Sequence, residues 1–173
     1  MKTLILGGVR SGKSRLAERI ATDSGLPVTY IATATAGDDE MRTRIEAHRA
    51  RRPKDWFVVE EPRELAAALH AHVTADRWVL VDCLTLWLTN LLTDEGESLL
   101  ERERAALLNV LATLPGRILL VSNETNMGVM PLGELSRRYC DEAGRLHQDL
   151  ARICDRVILT IAGLPHILKG EPV

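Results

Sequence analysis

Cysteine is scarce in this chain, with only three among its 173 residues, at Cys83, Cys140 and Cys154. These residues lie far apart and form no CxxC pair, so the sequence predicts neither a disulfide framework nor a zinc site built from thiolates. No histidine pair has the HExxH spacing of a zinc-binding helix. Sparse, unclustered thiols are typical of a reducing compartment, and we expect a cytoplasmic protein.

The chain also lacks a strong net charge and a long apolar run. Its formal net charge is −2, which gives no reason to expect nucleic acid as a partner. The most apolar stretch, 78–92, is too short to span a bilayer and contains Asp82 and Asn90. The first apolar run ends at Gly7, too early for a signal peptide. We therefore expect no membrane partner.

Short apolar runs alternate with amphipathic helical segments, a pattern that predicts a parallel sheet with crossover helices. The expected strands are 3–6, 28–32, 56–59, 79–81, 118–121 and 157–161, the last of them being the final strand that we expect. The expected helices are one directly after the first glycine-rich turn and those at 38–50, 63–72, 84–92, 98–114 and 135–153. No repeat, low-complexity segment or long linker interrupts them. The sequence predicts a single α/β domain over residues 1–173 with a P-loop NTPase-type, mostly parallel sheet and flanking helices.

The glycine-rich turn carries a phosphate-binding motif, GxxxxGK[ST], which consists of Gly7, Gly8, Val9, Arg10, Ser11, Gly12, Lys13 and Ser14. Glycines let the backbone approach an anion closely, and the N–H groups at the following helix N-terminus attract phosphate. In this motif Lys13 reaches the β- and γ-phosphates, and the Ser14 hydroxyl binds Mg²⁺. A random chain of this length matches the pattern with a probability of roughly one per cent or less. We expect a nucleotide site here.

A second element supports the nucleotide site. The segment 78–82 reads as a buried strand that ends in Asp82. A carboxylate in this position holds Mg²⁺ opposite the P-loop hydroxyl in P-loop enzymes. Since many strands end in aspartate for reasons of turn formation, the assignment of Asp82 as a metal ligand depends on the P-loop itself.

A basic segment runs from residue 42 to residue 54 and surrounds His48. Its cations are Arg42, Arg44, Arg49, Arg51, Arg52 and Lys54. They are consistent either with a solvated helical face or with a site that binds a triphosphate bidentately. Clustered arginines would also keep a neighbouring imidazole neutral and nucleophilic. The residues alone leave open whether His48 is packed or catalytic.

Several motifs together resemble one family, the bifunctional adenosylcobinamide kinase / adenosylcobinamide-phosphate guanylyltransferases. The likeness covers almost the whole chain in order. Its stretches are 7–14, 30–34, 39–41 with Arg44 and Ile45, 48–49, 52–53 with Trp56, 81–85, 89–92, 122–124, 127–129 with Pro131, and Asp141 with Gly144.

The resemblance implies two reactions. The kinase step moves the γ-phosphoryl group of ATP or GTP to adenosylcobinamide. The transferase step carries GMP from GTP, through a guanylyl-histidine at the position of His48, to adenosylcobinamide phosphate. It also implies Mg²⁺ and a homo-oligomer, a trimer. The implied nucleotide contacts are Gly7 to Ser14, Ala32, Thr33, Ala34, Arg49, Ala50, Arg51, Arg52, Glu60 and Asp82, with Lys13 also catalytic.

The chain departs from the family pattern at Thr125 and Asn126, where the family has Val-Gly, and at His147, where it often has Asn. Asparagine tolerates left-handed backbone better than most residues, so the loop at Asn126 can persist. We expect the segment 37–39 to act as a hinge that brings His48 to the P-loop.

Two alternatives remain at this point. One is a small-molecule P-loop kinase without nucleotidyl transfer. The other is a GTPase-type regulatory switch, since Asp141 to Gly144 matches DxxG. That match falls in a periodic helix, and no NKxD motif accompanies it.

Overall fold

The computed structural model describes residues 1–35, 39–93 and 97–172, without the side chains of Glu40, Met41, Arg44, His48, Arg51 and Glu97. The strands are β1 (Lys2–Gly7), β2 (Val28–Ala32), β3 (Phe57–Glu60), β4 (Trp78–Asp82), β5 (Arg117–Asn123), β6 (Arg156–Ile161) and β7 (Leu164–Lys169). The helices are α1 (Lys13–Asp23), α2 (Asp39–Arg51), α3 (Leu65–His72), α4 (Leu84–Leu92), α5 (Glu97–Thr113) and α6 (Glu134–Ile153). The expected hinge at 37–39 falls mostly outside the described residues.

The seven strands of the described residues join one sheet in the order β3-β2-β4-β5-β1-β6-β7. The first six strands in this order pair in parallel, and only β7 pairs antiparallel, with β6. Strand β5 therefore lies between β1 and β4, and the carboxyl ends of these three strands meet at one edge of the sheet. The predicted mostly parallel α/β fold is confirmed.

Both faces of the sheet are buried, as a parallel sheet with crossover helices requires. Successive side chains of β1 alternate between the two cores: Leu4 and Leu6 belong to one, and Ile5 belongs to the other. Helices α3, α4, α5 and α6 cover the first face, where Trp87 and Leu107 are fully buried. Helix α1 packs on the second face against β1, β4 and β5. No helix in the described ranges is long and apolar enough to cross a membrane.

Strand β7 was not among the expected strands. It follows β6 through a tight turn in which Ala162 and Gly163 both have positive φ, 52° and 81°. Two such residues form the turn whose twist suits a hairpin. Strand β7 is an edge strand with exposed side chains, and its second residue is Pro165. The sequence therefore shows little of the apolar pattern that predicts a strand.

Candidate active site

The phosphate-binding motif forms a turn between the end of β1 at Gly7 and the start of α1 at Lys13. Gly12 precedes the helix with a φ of 97°, and Arg10 is also left-handed at 57°. At Gly7 a side chain has no room, because an added Cβ would lie 2.6 Å from the Thr160 carbonyl oxygen. The two glycines thus permit a sharp turn that brings the N-terminus of α1 to the carboxyl edge of the sheet.

Neighbouring segments hold this loop in place. The Glu124 N–H, just after β5, donates to the Gly7 carbonyl at 3.0 Å. The Gly163 N–H, in the β6–β7 turn, donates to the Ser11 carbonyl at 2.8 Å. The missed hairpin therefore has a structural role at the site. Because the loop is fixed at both sides, its amides are preorganised to receive an anion.

Lys13 lies back over the loop, where its Nζ donates to the Gly8 carbonyl at 3.1 Å. Burial lowers the pKa of this ammonium, and the nearby charge of Asp82 opposes the shift. A partly desolvated cation gains more from a phosphate oxygen than an exposed one does. This arrangement suits the predicted contact of Lys13 with the β- and γ-phosphates.

Asp82 ends β4 at the same edge of the sheet, and Tyr30 donates its phenol proton to Oδ2 of Asp82 at 3.1 Å. The chemistry of the donors fits Mg²⁺, because a carboxylate and the hydroxyl of Ser14 line one cavity. Among the described residues no group of three His, Cys, Asp or Glu could hold a metal ion alone. This agrees with Mg²⁺ chemistry, in which one or two protein ligands are completed by phosphate oxygens and water.

A cavity of about 860 Å³ opens above the loop and is large enough for a nucleotide. Twelve of the expected nucleotide contacts line it: Val9, Arg10, Ser11, Gly12, Lys13, Ser14, Ala32, Ala34, Arg49, Arg52, Glu60 and Asp82. The structure therefore brings the P-loop, the end of β4 and the basic segment to one place.

Four other expected contacts do not line this cavity, and their contacts with a nucleotide stay predictions. Thr33 is fully buried, and its hydroxyl donates to the Cys83 carbonyl at 2.7 Å and accepts from the Cys83 N–H at 2.9 Å. Gly7, Gly8 and Ala50 do not border the cavity. The side chains of His48 and Arg51 lie outside the described residues, so their roles stay predictions.

Helix α2 nevertheless borders the cavity through Ile45, Ala47 and Arg49. His48 lies between Ala47 and Arg49 in the sequence of this helix. The backbone of α2 thus carries His48 along the wall of the cavity.

Two arginines of the basic segment have defined partners. The Arg52 guanidinium lies over the Tyr30 ring, with Cζ 3.6 Å from the ring centroid. Arg49 forms an ion pair with Glu60. These contacts hold both guanidinium groups at the cavity wall, and guanidinium groups bind phosphate oxygens bidentately.

Several cavity residues were not among the nucleotide contacts predicted from sequence: Arg15, Tyr30, Arg42, Ile45, Glu46, Ala47, Cys83, Leu86, Asn123 and Gly163. Asn123 had a usable signal, since it ends a buried strand just as Asp82 does. The thiol of Cys83 has its pKa raised by burial to about 11. At neutral pH it is protonated and unsuited to act as a nucleophile.

The two departures from the family pattern have structural partners. The φ of Asn126 is not positive, so the loop does not need the left-handed backbone that asparagine tolerates. Its Nδ2 donates to the Cys140 carbonyl at 3.0 Å, and its N–H donates to Glu124. Buried His147 has Nε2 2.8 Å from Ser122 Oγ and Nδ1 3.7 Å from Glu124 Oε2. Both residues therefore support the end of β5.

Comparison with protein families identifies the chain. Residues 3–168 match the model of the cobinamide kinase / cobinamide phosphate guanyltransferase family. The chain belongs to this family. A Pseudomonas aeruginosa relative, bifunctional adenosylcobalamin biosynthesis protein CobP, is 65% identical over 99% of each chain. The Escherichia coli K12 relative, bifunctional adenosylcobalamin biosynthesis protein CobU, is 39% identical over 95% of this chain and 97% of its own. The resemblance stated from the motifs is confirmed.

Solved structures agree at the level of the fold. A Pyrococcus horikoshii OT3 protein superposes with a TM-score of 0.53 at 12% identity, covering 99% of this chain and 87% of that one. The RadB recombinase superposes with a TM-score of 0.50 at 17% identity, covering 91% and 73%. At these identities the likeness concerns the fold alone. For the rival GTPase reading, the DxxG match at 141–144 lies inside helix α6, where it cannot form a switch loop.

Proposed function

We propose that the one cavity above the P-loop carries out both reactions of the family, phosphorylation of adenosylcobinamide and guanylylation of its phosphate. The observation that carries this proposal is that the parts needed for both reactions border the same cavity. The P-loop, Asp82 and helix α2, which bears His48, all border the same cavity. One triphosphate in the loop would then present its γ-phosphorus or its α-phosphorus, according to which acceptor is bound.

In the kinase step, the loop amides and Lys13 bind the β- and γ-phosphates of ATP or GTP. Ser14 and Asp82 would hold Mg²⁺, which neutralises charge on the transferring group. The substrate hydroxyl attacks the γ-phosphorus and gives up its proton to solvent, the bond to the β–γ bridging oxygen breaks, and the nucleoside diphosphate leaves. Positioning and electrostatics supply most of the acceleration in such transfers.

In the guanylyl step, the His48 imidazole attacks the α-phosphorus of GTP. A P–N bond forms, the bond to the α–β bridging oxygen breaks, and pyrophosphate leaves from the P-loop. A phosphate oxygen of adenosylcobinamide phosphate then attacks the same phosphorus and releases the histidine, giving adenosylcobinamide-GDP. Arg49 and Arg52 line the cavity and would stabilise the charge that develops on the α-phosphate. A covalent intermediate divides one difficult transfer into two easier ones.

The remaining parts of the proposal rest on the family and its substrates. Residues 1–173 act as one catalytic domain, because the described strands form one sheet and the family match spans nearly the whole chain. We place the enzyme in the cytoplasm, where its nucleotide substrates are abundant. A homo-oligomer, a trimer by family resemblance, is included in the proposal.

Labelling with GTP that carries ³²P at the α-phosphate tests the assignment of the nucleophile. We expect an acid-labile, base-stable adduct on the wild-type protein and none on His48→Ala, which should keep much of its kinase activity. His70→Ala is the matched control, since His70 is exposed on α3 away from the cavity. If His48→Ala forms adenosylcobinamide-GDP at the normal rate, the nucleophile is misassigned. A wild-type protein that phosphorylates but forms no adduct would leave only a kinase.

A further inference from the structure

Tyr30 is a buried residue that touches two functional parts of the cavity at once. It lies in β2, is 1% exposed, and lines the cavity. Its hydroxyl donates to Asp82 Oδ2 at 3.1 Å, and its ring lies under the Arg52 guanidinium. The hydroxyl of this side chain thus contacts the proposed metal-binding carboxylate, and its ring contacts a cation of the basic segment.

We propose that Tyr30 is a positioning residue that orients Asp82 toward the nucleotide-bound Mg²⁺ through its hydroxyl and orients Arg52 toward the phosphates through its ring. The proposal rests on the function proposed above. It adds a role for a residue that does not itself touch the reacting atoms, and it divides that role between two separable groups of one side chain.

The sheet register explains why a tyrosine at this position can reach Asp82. In the parallel pairing of β2 with β4, Tyr30 lies opposite Leu80 and Ala32 lies opposite Asp82. Side chains two residues apart on a strand project from the same face, so Tyr30 and Asp82 are diagonal neighbours. Such a diagonal spans about 7 Å, which a long aromatic side chain bridges and a short one does not. Ala32, directly opposite Asp82, leaves the space open.

The hydroxyl acts on the carboxylate. The Tyr30 hydroxyl donates its hydrogen bond to Oδ2 of Asp82 from within the buried sheet. A hydrogen bond to one oxygen of a carboxylate fixes its rotation, and the groups that orient metal ligands in this way influence metal affinity strongly.

The ring acts on the arginine. The Cζ–centroid distance of 3.6 Å is that of a close cation–π contact. Arg52 Nε is buried and has no hydrogen-bond partner among the described residues. The ring contact therefore holds the guanidinium at a position where Nε makes no hydrogen bond. Trp56 also packs against the Tyr30 ring, with the two ring centroids 6.3 Å apart.

Two substitutions separate the two roles. Tyr30→Phe removes the hydroxyl and keeps the ring, while Tyr30→Leu removes both. Tyr139→Phe is the matched control, because Tyr139 lies on α6 and does not line the nucleotide cavity. Calorimetry measures GTP affinity in EDTA and over a Mg²⁺ titration, and circular dichroism verifies that each variant is folded.

We expect Tyr30→Phe to raise the Mg²⁺ concentration for half-maximal enhancement of GTP binding about tenfold, with metal-free affinity unchanged. Tyr30→Leu should in addition lower the metal-free affinity, roughly threefold to tenfold, and Tyr139→Phe should match the wild type. A purely structural role would lower the melting temperature without moving the Mg²⁺ midpoint.

The inference is overturned if Tyr30→Phe keeps the wild-type Mg²⁺ midpoint, or if it weakens metal-free and metal-dependent binding equally. A different result addresses the underlying function. If the wild-type protein binds GTP with no dependence on Mg²⁺, the metal site proposed at Ser14 and Asp82 is wrong, and the role of the Tyr30 hydroxyl fails with it.

Discussion

Replacing Gly7 with alanine should destabilise the protein even before any nucleotide binds. An added Cβ would collide with Ser11 Oγ and would lie 2.6 Å from the backbone carbonyl oxygen of Thr160. The Ser11 side chain can rotate away, but the carbonyl belongs to the paired strand β6. The backbone of β1 or β6 must therefore shift, and the shift opens the turn whose backbone amides bind phosphate.

The size of the effect follows from the geometry. One methyl group forced against fixed backbone costs about 1–3 kcal/mol in a well-packed region. For a domain of this length, each kcal/mol lowers the melting temperature by roughly 2–4 °C, so we expect a decrease of about 2–12 °C. Gly8→Ala is the matched control. Nothing lies within 4 Å of a Cβ added at Gly8, and its φ is not positive. Its stability should change by less than about 1 kcal/mol.

Thermal unfolding of the two ligand-free variants, followed by circular dichroism, measures the difference directly. Calorimetry with GTP should then show weaker binding by Gly7→Ala, because the displaced loop no longer presents its amides to one set of phosphate oxygens. The reasoning fails if Gly7→Ala has the same melting temperature as the wild type, or if Gly8→Ala loses as much stability as Gly7→Ala.

Two further outcomes are expected. Lys13→Ala should slow both the kinase step and formation of the guanylyl adduct, each by about 10²-fold or more, with no loss of melting temperature. Initial rates of the two steps measure the effect. A Lys13→Ala protein that loses only one of the two steps would contradict a phosphate-binding loop shared by both. His147→Asn should make stability less sensitive to acid. Burial lowers the folded-state pKa of His147 more than Glu124 raises it, so unfolding takes up a proton below about pH 6.5 and the wild type loses stability as the pH falls from about 7 to 5. Urea unfolding at both ends of that range checks the difference, and an equally steep loss in His147→Asn would refute this assignment.

Much of the fold was readable from sequence, because the strongest local signals agreed with the tertiary structure. The bounds of β2 and α4 were predicted to the residue, since turn residues flank an apolar run in the first and a periodic apolar face defines the second. The phosphate loop was predicted from its motif and lies between a strand and a helix as expected. Where a signal was weaker, boundaries moved. Trp56 was assigned to β3, but it precedes that strand and packs beside Tyr30.

The rest depends on long-range geometry that no local pattern encodes. Strand β7 is an exposed edge strand whose pairing is set by the preceding turn. The hydrogen bond from Tyr30 to Asp82 joins residues 52 positions apart and exists only because β2 neighbours β4. Asn123 reaches the cavity because β5 lies between β1 and β4. Strand order determined these contacts, and the sequence pattern predicted a parallel sheet without its order.

The central claim is that one phosphate-binding loop serves both transfers, and competition between nucleotides tests it most directly. The rate of adduct formation from α-labelled GTP is measured at rising concentrations of a non-hydrolysable ATP analogue that inhibits the kinase step. The account predicts competitive inhibition, with the adduct rate restored by excess GTP. An analogue that saturates the kinase site and leaves the adduct rate unchanged would show two separate triphosphate sites and contradict the account.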